Sequence, residues 1–119
     1  MLSNGLRPIA TLLESEAVLV ADPSGAAVDV VNQVATMLRA VVAGRRKRYV
    51  LMNAPQAALP EIEAIIPGFD APSIVPLAHN GKVAIHSVVD AADVWDVLPQ
   101  LKAAGASGIL VLPIEQLIP

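Results

Sequence analysis

The chain has 119 residues, of which 55% are hydrophobic and 16% charged, with a net charge of −3 and a mean hydropathy of +0.60. It is too apolar for an intrinsically disordered protein, its charge gives no general attraction to nucleic acid, and the lack of cysteine excludes disulfides and thiolate chemistry. The N-terminal stretch lacks the basic region and apolar core of a signal peptide, and the longest uncharged run, 103–114, is too short to cross a bilayer. We therefore expect a cytoplasmic protein without nucleic-acid or membrane partners, whose excess apolar surface is buried against other subunits or another domain.

Residues 1–46 predict a helix, a short strand and a second, longer helix. An apolar pattern of helical spacing begins at Ile9, and the run AVLVA at 17–21 predicts a strand. The turn sequence DPSG ends that strand, and its Ser24 is placed to cap the helix that follows.

The long helix after this turn has an apolar face and a basic end. The residues that recur at helical spacing and predict its buried face are Val28, Val31, Ala35, Leu38 and Val42. Gly44 marks the end of the helix, and the four cations at 45–48 suit the negative end of the helix dipole. Because these cations come without a glycine-rich loop, we interpret them as a solvated helix end rather than as a nucleic-acid site.

Residues 47–119 predict a regular succession of strands and helices. In chain order these are a strand at 48–53, a helix at 59–68, strands at 73–77 and 83–89, a helix between Asp90 and Gly105, and a strand at 108–112. Pro76 suits an edge strand, and the Asn-Gly pair before the third strand is a hairpin signal. Asp90 is placed to cap the last helix, Pro99 to kink it and Gly105 to end it.

This order predicts an α+β fold. It is a ferredoxin-like βαββαβ unit of the ACT/PII-like kind, with two helices on one face of a four-stranded antiparallel sheet and a helix–strand–helix remnant before it. Alternation along the third strand puts Val83, Ile85 and Val89 on one face and His86 and Val88 on the other. Since no further element is left to cover the second face, we expect an open sheet surface that binds a ligand or another subunit.

No constellation in the chain predicts catalysis or metal binding. The two histidines, His79 and His86, have no third ligand at a suitable spacing, and Glu61 and Glu63 point apart on a helix. The sequence GASG at 105–108 lacks the preceding strand and following helix of a phosphate-binding loop. The residues alone therefore predict a small α+β domain, without catalytic or metal-ligating residues, that binds something on its open sheet face.

Three segments resemble one enzyme family. PGFDAPSIVPL at 67–77 and DVWDVLPQLKAAGASGILVLPIE at 93–115, with the hairpin between them, resemble the C-terminal regulatory domain of long-form ATP phosphoribosyltransferase. NGLRPIATLLESEAVLVADP at 4–23 resembles the last helix and strand of that family's catalytic region. The resemblance implies a catalytic tail and connecting helix at 1–46 and a regulatory, histidine-binding domain at 47–119.

The resemblance implies an enzyme of the first step of histidine biosynthesis, a glycosyltransferase that uses Mg²⁺. The family's catalytic region holds phosphoribosyl pyrophosphate in a Gly/Ser/Thr loop that ends where this chain opens with Met1, Leu2 and Ser3. A phosphoribosyl transferase needs backbone N–H groups around the phosphate and a carboxylate-rich stretch on the ribose. Because these residues supply neither, we expect the chain to be inactive alone and to hold no cofactor of its own.

In the family, regulatory domains of neighbouring subunits bind the end product, L-histidine, and inhibit a hexameric enzyme at a distance. Carried over by position, the histidine-binding residues are Asn53, Phe69, Ser73, Val88 and Gly108. Asn53 and Ser73 would hydrogen-bond to the ligand, Phe69 and Val88 would form apolar walls, and Gly108 would admit the ligand to the backbone. The resemblance thus implies a homo-oligomer with L-histidine as its allosteric ligand.

Two positions depart from the family's pattern, and two other functions stay open. Many relatives carry Trp where Lys82 stands and Arg where His86 stands, which changes the packing and a rim contact of the site. One alternative is an active enzyme subunit that a separate catalytic chain completes. The other is a free-standing ACT/PII-like sensor or oligomerisation module with a different ligand.

Overall fold

The computed structural model describes residues 9–25, 27–66, 71–78 and 81–118. Its elements, in chain order, are helix α1 (Val28–Arg45), strand β1 (Lys47–Pro55), a 3-10 turn (Gln56–Ala58), helix α2 (Leu59–Ile65), strands β2 (Ser73–Pro76) and β3 (Lys82–Asp90), helix α3 (Val94–Ala103) and strand β4 (Ser107–Pro113). From β1 onward this is the predicted βαββαβ order, which confirms the α+β, ferredoxin-like fold. No helix in the described part of the chain is long and apolar enough to cross a membrane.

The four strands form one antiparallel sheet in the order β2-β3-β1-β4. The central strands β1 and β3 pair over their whole length, from Lys47 opposite Asp90 to Pro55 opposite Lys82. β2 and β4 are the edge strands, which confirms the edge position predicted from Pro76. β1, β3 and β4 extend beyond their predicted ends by one or two residues, whereas β2 ends one residue earlier.

Helices α2 and α3 pack on one face of this sheet and form the core with it. Burial alternates along β1, where Val50, Met52 and Ala54 are buried between more exposed neighbours. The other buried members of the core are Ile62, Ile66, Val83, Ile85, Val89, Val94, Leu101, Ala104 and Ala106. The residues predicted to share one face of the third strand, Val83, Ile85 and Val89, are therefore the ones that β3 buries under the helices.

Gly105 terminates helix α3, as predicted. Gly105 adopts a φ of +91°, and its N–H donates to the carbonyl oxygen of Lys102 at 3.2 Å. The N–H of Ala106 donates to the carbonyl oxygen of Leu101 at 3.0 Å, which completes a Schellman motif and satisfies two terminal carbonyls. Pro99 lies inside the helix, as expected.

The start of α3 differs from the prediction. Its N-cap is Asp93, which makes no side-chain capping bond, and the predicted cap, Asp90, instead forms an ion pair with Lys47. The Asp90 prediction was wrong because this residue ends β3 directly opposite Lys47, so its carboxylate meets an ammonium group across the sheet.

The described residues before α1 form neither the predicted helix nor the predicted strand. Residues 9–22 have no regular secondary structure, and Leu12, Val18 and Leu19 are 96%, 74% and 55% exposed. Both predictions were wrong for the same reason: a short helix or a lone strand needs a packed neighbour, and among the described residues none packs closely over these side chains.

The turn before α1 also uses different groups from those predicted. The backbone N–H of Ser24 donates to Asp22 Oδ1 at 2.8 Å, which lowers the pKa of the Asp22 carboxyl. The helix begins later, with Ala27 as its N-cap and no side-chain capping bond. Ser24 therefore stabilises the turn, and its prediction as a helix cap was wrong.

The buried side of α1 is not the predicted apolar face. Val28, Leu38 and Val42 are each more than half exposed, whereas the buried residues are Ala40 and Gly44. The apolar pattern identified a face that lines an open cavity together with residues 17–19, while the close contact uses two small residues one turn apart.

The segment after β4 packs against these two small residues of α1. The N–H of Leu117 donates to the carbonyl oxygen of Ala40 at 2.9 Å. A Cβ added at Gly44 would lie 2.8 Å from the carbonyl oxygen of Ile114 and 3.0 Å from the backbone nitrogen of Gln116. Gly44 is thus required for close approach rather than for ending the helix, which runs on to Arg45.

Some sequence predictions fall on residues 67–70 and 79–80, outside the described part of the chain. They concern Gly68, the site residue Phe69, and His79 in the hairpin turn. Helix α2 itself ends earlier than predicted, at Ile65 with Ile66 as its C-cap. Beside that turn, Gly81 has a φ of +79°, and the N–H of Leu77 donates to the carbonyl oxygen of Lys82 at 3.1 Å.

Replacing Ile85 should destabilise the sheet far more than replacing its register partner Ile74. Both side chains point to the helices, but Ile85 is completely buried and Ile74 is 40% exposed. We expect Ile85→Ala to lower the free energy of unfolding by about 2–5 kcal/mol because it leaves a cavity. Ile74→Ala, the matched control, should cost about 1 kcal/mol or less. Urea unfolding measures both, and equal losses would contradict the described burial.

The Gly44→Ala variant should release the segment after β4 from α1. Alanine stabilises a helix interior by about 1 kcal/mol relative to glycine, but here its methyl group meets backbone atoms that cannot rotate away. We expect the Leu117 amide to lose protection from hydrogen exchange, while the exposed α1 control Gln33→Ala leaves it protected. A Gly44→Ala protein with a protected Leu117 amide and raised stability would contradict this packing.

Candidate functional site

The second face of the sheet, opposite α2 and α3, is the candidate site and is called the open face below. Strand alternation and register place on it Tyr49, Leu51 and Asn53 of β1, Ala84, His86 and Val88 of β3, Ser73 and Val75 of β2, and Leu110 and Leu112 of β4. Val75, Leu110 and Leu112 are 48%, 54% and 44% exposed. The open face is therefore an apolar surface with a few polar groups set into it.

Asn53 and Gly108, both predicted site residues, lie close together on this face. The pairing of β1 with β4 is shifted between Leu51 and Asn53, because Gly108 adopts a φ of +57° and forms a bulge in β4. A Cβ added at Gly108 would lie 3.7 Å from Asn53 Nδ2. The hydroxyl of Ser107 donates to the carbonyl oxygen of Asn53 at 3.4 Å. The bulge thus brings exposed backbone next to an amide that can both donate and accept.

Ser73 and Val88 occupy other positions along the face. In register, Asn53 is opposite Ala84, Ser73 is opposite His86, and Val88 is opposite Tyr49. Rows on one face are about 7 Å apart, so Ser73 lies one row and Val88 two rows, or about 13 Å, from the row of Asn53. Ser73 also stands two strands away from β1, at about 4.8 Å a strand, so it is about 12 Å from Asn53. The fold therefore brings Asn53 and Gly108 together, but it keeps both Ser73 and Val88 more than about 10 Å from Asn53.

The centre of the open face holds a polar pair that the sequence-based site omitted. The Tyr49 hydroxyl hydrogen-bonds with His86 Nδ1, and the two rings meet edge to face, with centroids 5.8 Å apart and planes at 78°. Both side chains are half-buried. Strand alternation predicts that His86 lies on this face. The sequence does not give the register of β1 against β3, which places Tyr49 beside His86.

Charged residues mark the two ends of the face. At one end Lys47 Nζ lies 3.0 Å from Asp90 Oδ1, in a pair whose side chains are 27% and 52% exposed. Such partly exposed pairs contribute about 1 kcal/mol or less. At the other end Lys82 begins β3 and is exposed. The apolar centre thus lies between two solvated ends.

The described residues do not supply a metal site. No group of three or more His, Cys, Asp or Glu side chains among them is arranged to hold an ion. Mg²⁺ requires several oxygen ligands in near-octahedral geometry. The open face carries one amide and two hydroxyls in three different rows, and the carboxylate at its end, that of Asp90, is paired with Lys47. The residues present do not fit that cofactor.

These features define a ferredoxin-like domain with an open, mostly apolar sheet face suited to binding a small molecule or another subunit. The family model of the HisG C-terminal domain matches residues 44–116, and the chain belongs to that family. An ATP phosphoribosyltransferase from Phocaeicola vulgatus is 40% identical over 99% of this chain, and one from Natronomonas pharaonis is 45% identical over 98%. The chain spans 42% and 41% of their respective lengths.

Substitutions at Gly108 should separate backbone strain from side-chain size. A left-handed conformation costs an ordinary residue about 1–2 kcal/mol, whereas asparagine tolerates it better. We expect Gly108→Val to lower the free energy of unfolding by about that amount or more, and Gly108→Asn to lower it distinctly less. Thermal unfolding of both variants provides the measurement. Equal losses in the two variants would mean that the left-handed bulge does not determine tolerance here.

Proposed function

We propose that this chain is the histidine-sensing, C-terminal part of an ATP phosphoribosyltransferase, the enzyme of the first step of histidine biosynthesis. In this proposal L-histidine binds on the open face between two protomers of a homo-oligomer, and its binding inhibits catalysis elsewhere in the assembly. The observation that carries the proposal is the open face itself, where the Asn53 amide meets the bulge at Gly108 within a domain of the HisG C-terminal family.

The chemistry of the face supports an amino acid as ligand. An amino acid needs hydrogen-bond partners for its ionised ends and an apolar surface for its stem. Asn53 and Ser73 supply donors and acceptors, and Leu51, Val75 and Leu110 supply apolar surface around them.

The spacing of the face supports a site completed by a second protomer. The row of Asn53 and the row of Val88 are about 13 Å apart, more than one amino acid of this size spans. Val75 and Leu110, on opposite edge strands, remain about half exposed. A second copy laid over the ligand would bury these side chains and supply contacts that one protomer lacks.

Catalysis is assigned to the larger part of the relatives that this chain does not span. We propose that the chain makes no phosphoribosyl-ATP by itself, and that the Mg²⁺ chemistry of the whole enzyme also belongs to that part. An active subunit completed by a separate catalytic chain would make phosphoribosyl-ATP when the two are mixed, and that assay distinguishes the two cases.

Calorimetry with L-histidine tests the proposal directly. The full 119-residue chain should bind histidine, and Asn53→Ala should weaken the affinity about 3- to 10-fold, the usual effect of one neutral hydrogen bond. The exposed α1 variant Gln33→Ala is the control and should bind as the parent chain does. Light scattering in the same samples should show that the binding species is an oligomer.

Two outcomes would count against the proposal. A folded oligomer that releases no heat with millimolar histidine has no competent histidine site. Binding of a different amino acid or a nucleotide in a thermal-shift panel, with no response to histidine, would favour the free-standing sensor.

A further inference from the structure

We propose that His86 and Tyr49 determine ligand specificity on the open face: His86 donates its Nε2–H to the carboxylate of the bound amino acid, and Tyr49 is the positioning residue that holds the imidazole for this contact. The inference rests on the proposed function, because it assigns a role within the same site. It gives His86 a direct contact with the ligand, whereas the family resemblance implied only that His86 alters a contact at the edge of the site.

The hydrogen bond between Tyr49 and His86 Nδ1 fixes which nitrogen of the ring faces the open surface. A tyrosine hydroxyl both donates and accepts; in this proposal it donates to Nδ1, which puts the ring proton on Nε2. Tyr49 is the only hydrogen-bond partner of that ring in the described part of the chain. The pair therefore presents one oriented N–H donor in the middle of an apolar surface, where a hydrogen bond is stronger than in water.

The position of His86 suits a ligand that Asn53 also contacts. His86 lies one row, about 7 Å, from the row of Asn53, which matches the length of a small amino acid. Ser73 lies directly opposite His86 on β2, and Cβ atoms in such pairs are about 5 Å apart. Its hydroxyl and the His86 Nε2–H can thus donate to the two oxygens of one carboxylate.

Lys82 is the competing partner for that carboxylate, and the structure favours His86. Lys82 begins β3 at the exposed end of the face, where a flexible, hydrated ammonium group contributes little to binding. His86 is half-buried and held in place by Tyr49, so little freedom is lost when it binds.

The test compares L-histidine with L-histidinol, in which an alcohol replaces the carboxylate, by calorimetry on the full chain. The parent chain should bind histidine more tightly than histidinol. His86→Leu should weaken histidine about 10- to 100-fold, the usual range for a hydrogen bond to a charged group, and histidinol by less than about 3-fold. His86→Gln, which keeps a donor near the Nε2 position, should retain part of the preference for histidine.

Tyr49→Phe and Lys82→Met complete the experiment. Tyr49→Phe keeps the ring but removes the hydroxyl, so the carboxylate preference should fall and the imidazole ¹⁵N shifts of His86 should move away from a pure Nε2–H tautomer. Lys82→Met should keep the preference. A preference lost in Lys82→Met and kept in His86→Leu would overturn the inference while leaving histidine sensing intact.

The same variants separate failure of the pair from failure of the proposed function. The panel therefore includes further amino acids with their amino alcohols. If the parent chain binds one of these instead of histidine and still needs His86 to prefer the carboxylate, the proposed function is wrong and the role of the pair stands. If it binds no amino acid, both are overturned.

Discussion

The alternation of side chains along the central strands is the constraint on which the rest of the structure depends. Because consecutive residues of a strand point to opposite faces, burying Val50, Met52 and Ala54 under two helices forces Tyr49, Leu51 and Asn53 to the other side. The βαββαβ unit has only two helices, and both pack on the same face. The open face therefore follows directly from the way the core is built, and its residues are free to serve binding rather than packing.

Residues after Lys47 were predictable because local signals there agree with the global fold. Strand alternation, the edge-compatible Pro76 and the terminal glycine of α3 each indicate the element that the structure contains. Before α1 the same kinds of signal were misleading. An apolar pattern shows which side chains favour burial but not whether anything covers them. In the described part of the chain no element packs closely on residues 9–22, and they form neither helix nor strand.

The candidate site was predictable in composition but not in geometry. Alternation along each strand is enough to predict that His86 and Val88 share one face of the sheet. The contact between Asn53 and Gly108, however, depends on a one-residue bulge that shifts the register of β4. The hydrogen bond between Tyr49 and His86 likewise depends on the register of β1 against β3, because the two residues are 37 positions apart in the sequence. Such contacts follow from long-range register, which no short sequence window contains.

A regulatory role requires occupancy of the open face to alter something at a distance, and couplings of this kind amount to about 1–3 kcal/mol. In the proposed function this coupling would need a physical connection that leads away from the open face, and β4 with the segment after it is one candidate. β4 carries the Gly108 bulge at one end, and the segment that follows it donates to Ala40 and fits against Gly44 on α1. An added Cβ at Gly44 would lie 2.8 Å from the Ile114 carbonyl oxygen, so in the proposed function this close contact would pass a shift of β4 on to α1. Helix α1 is held through Ala40 and Gly44, while its Leu38 and Val42 are more than half exposed, so in the proposed function it would be the element that responds.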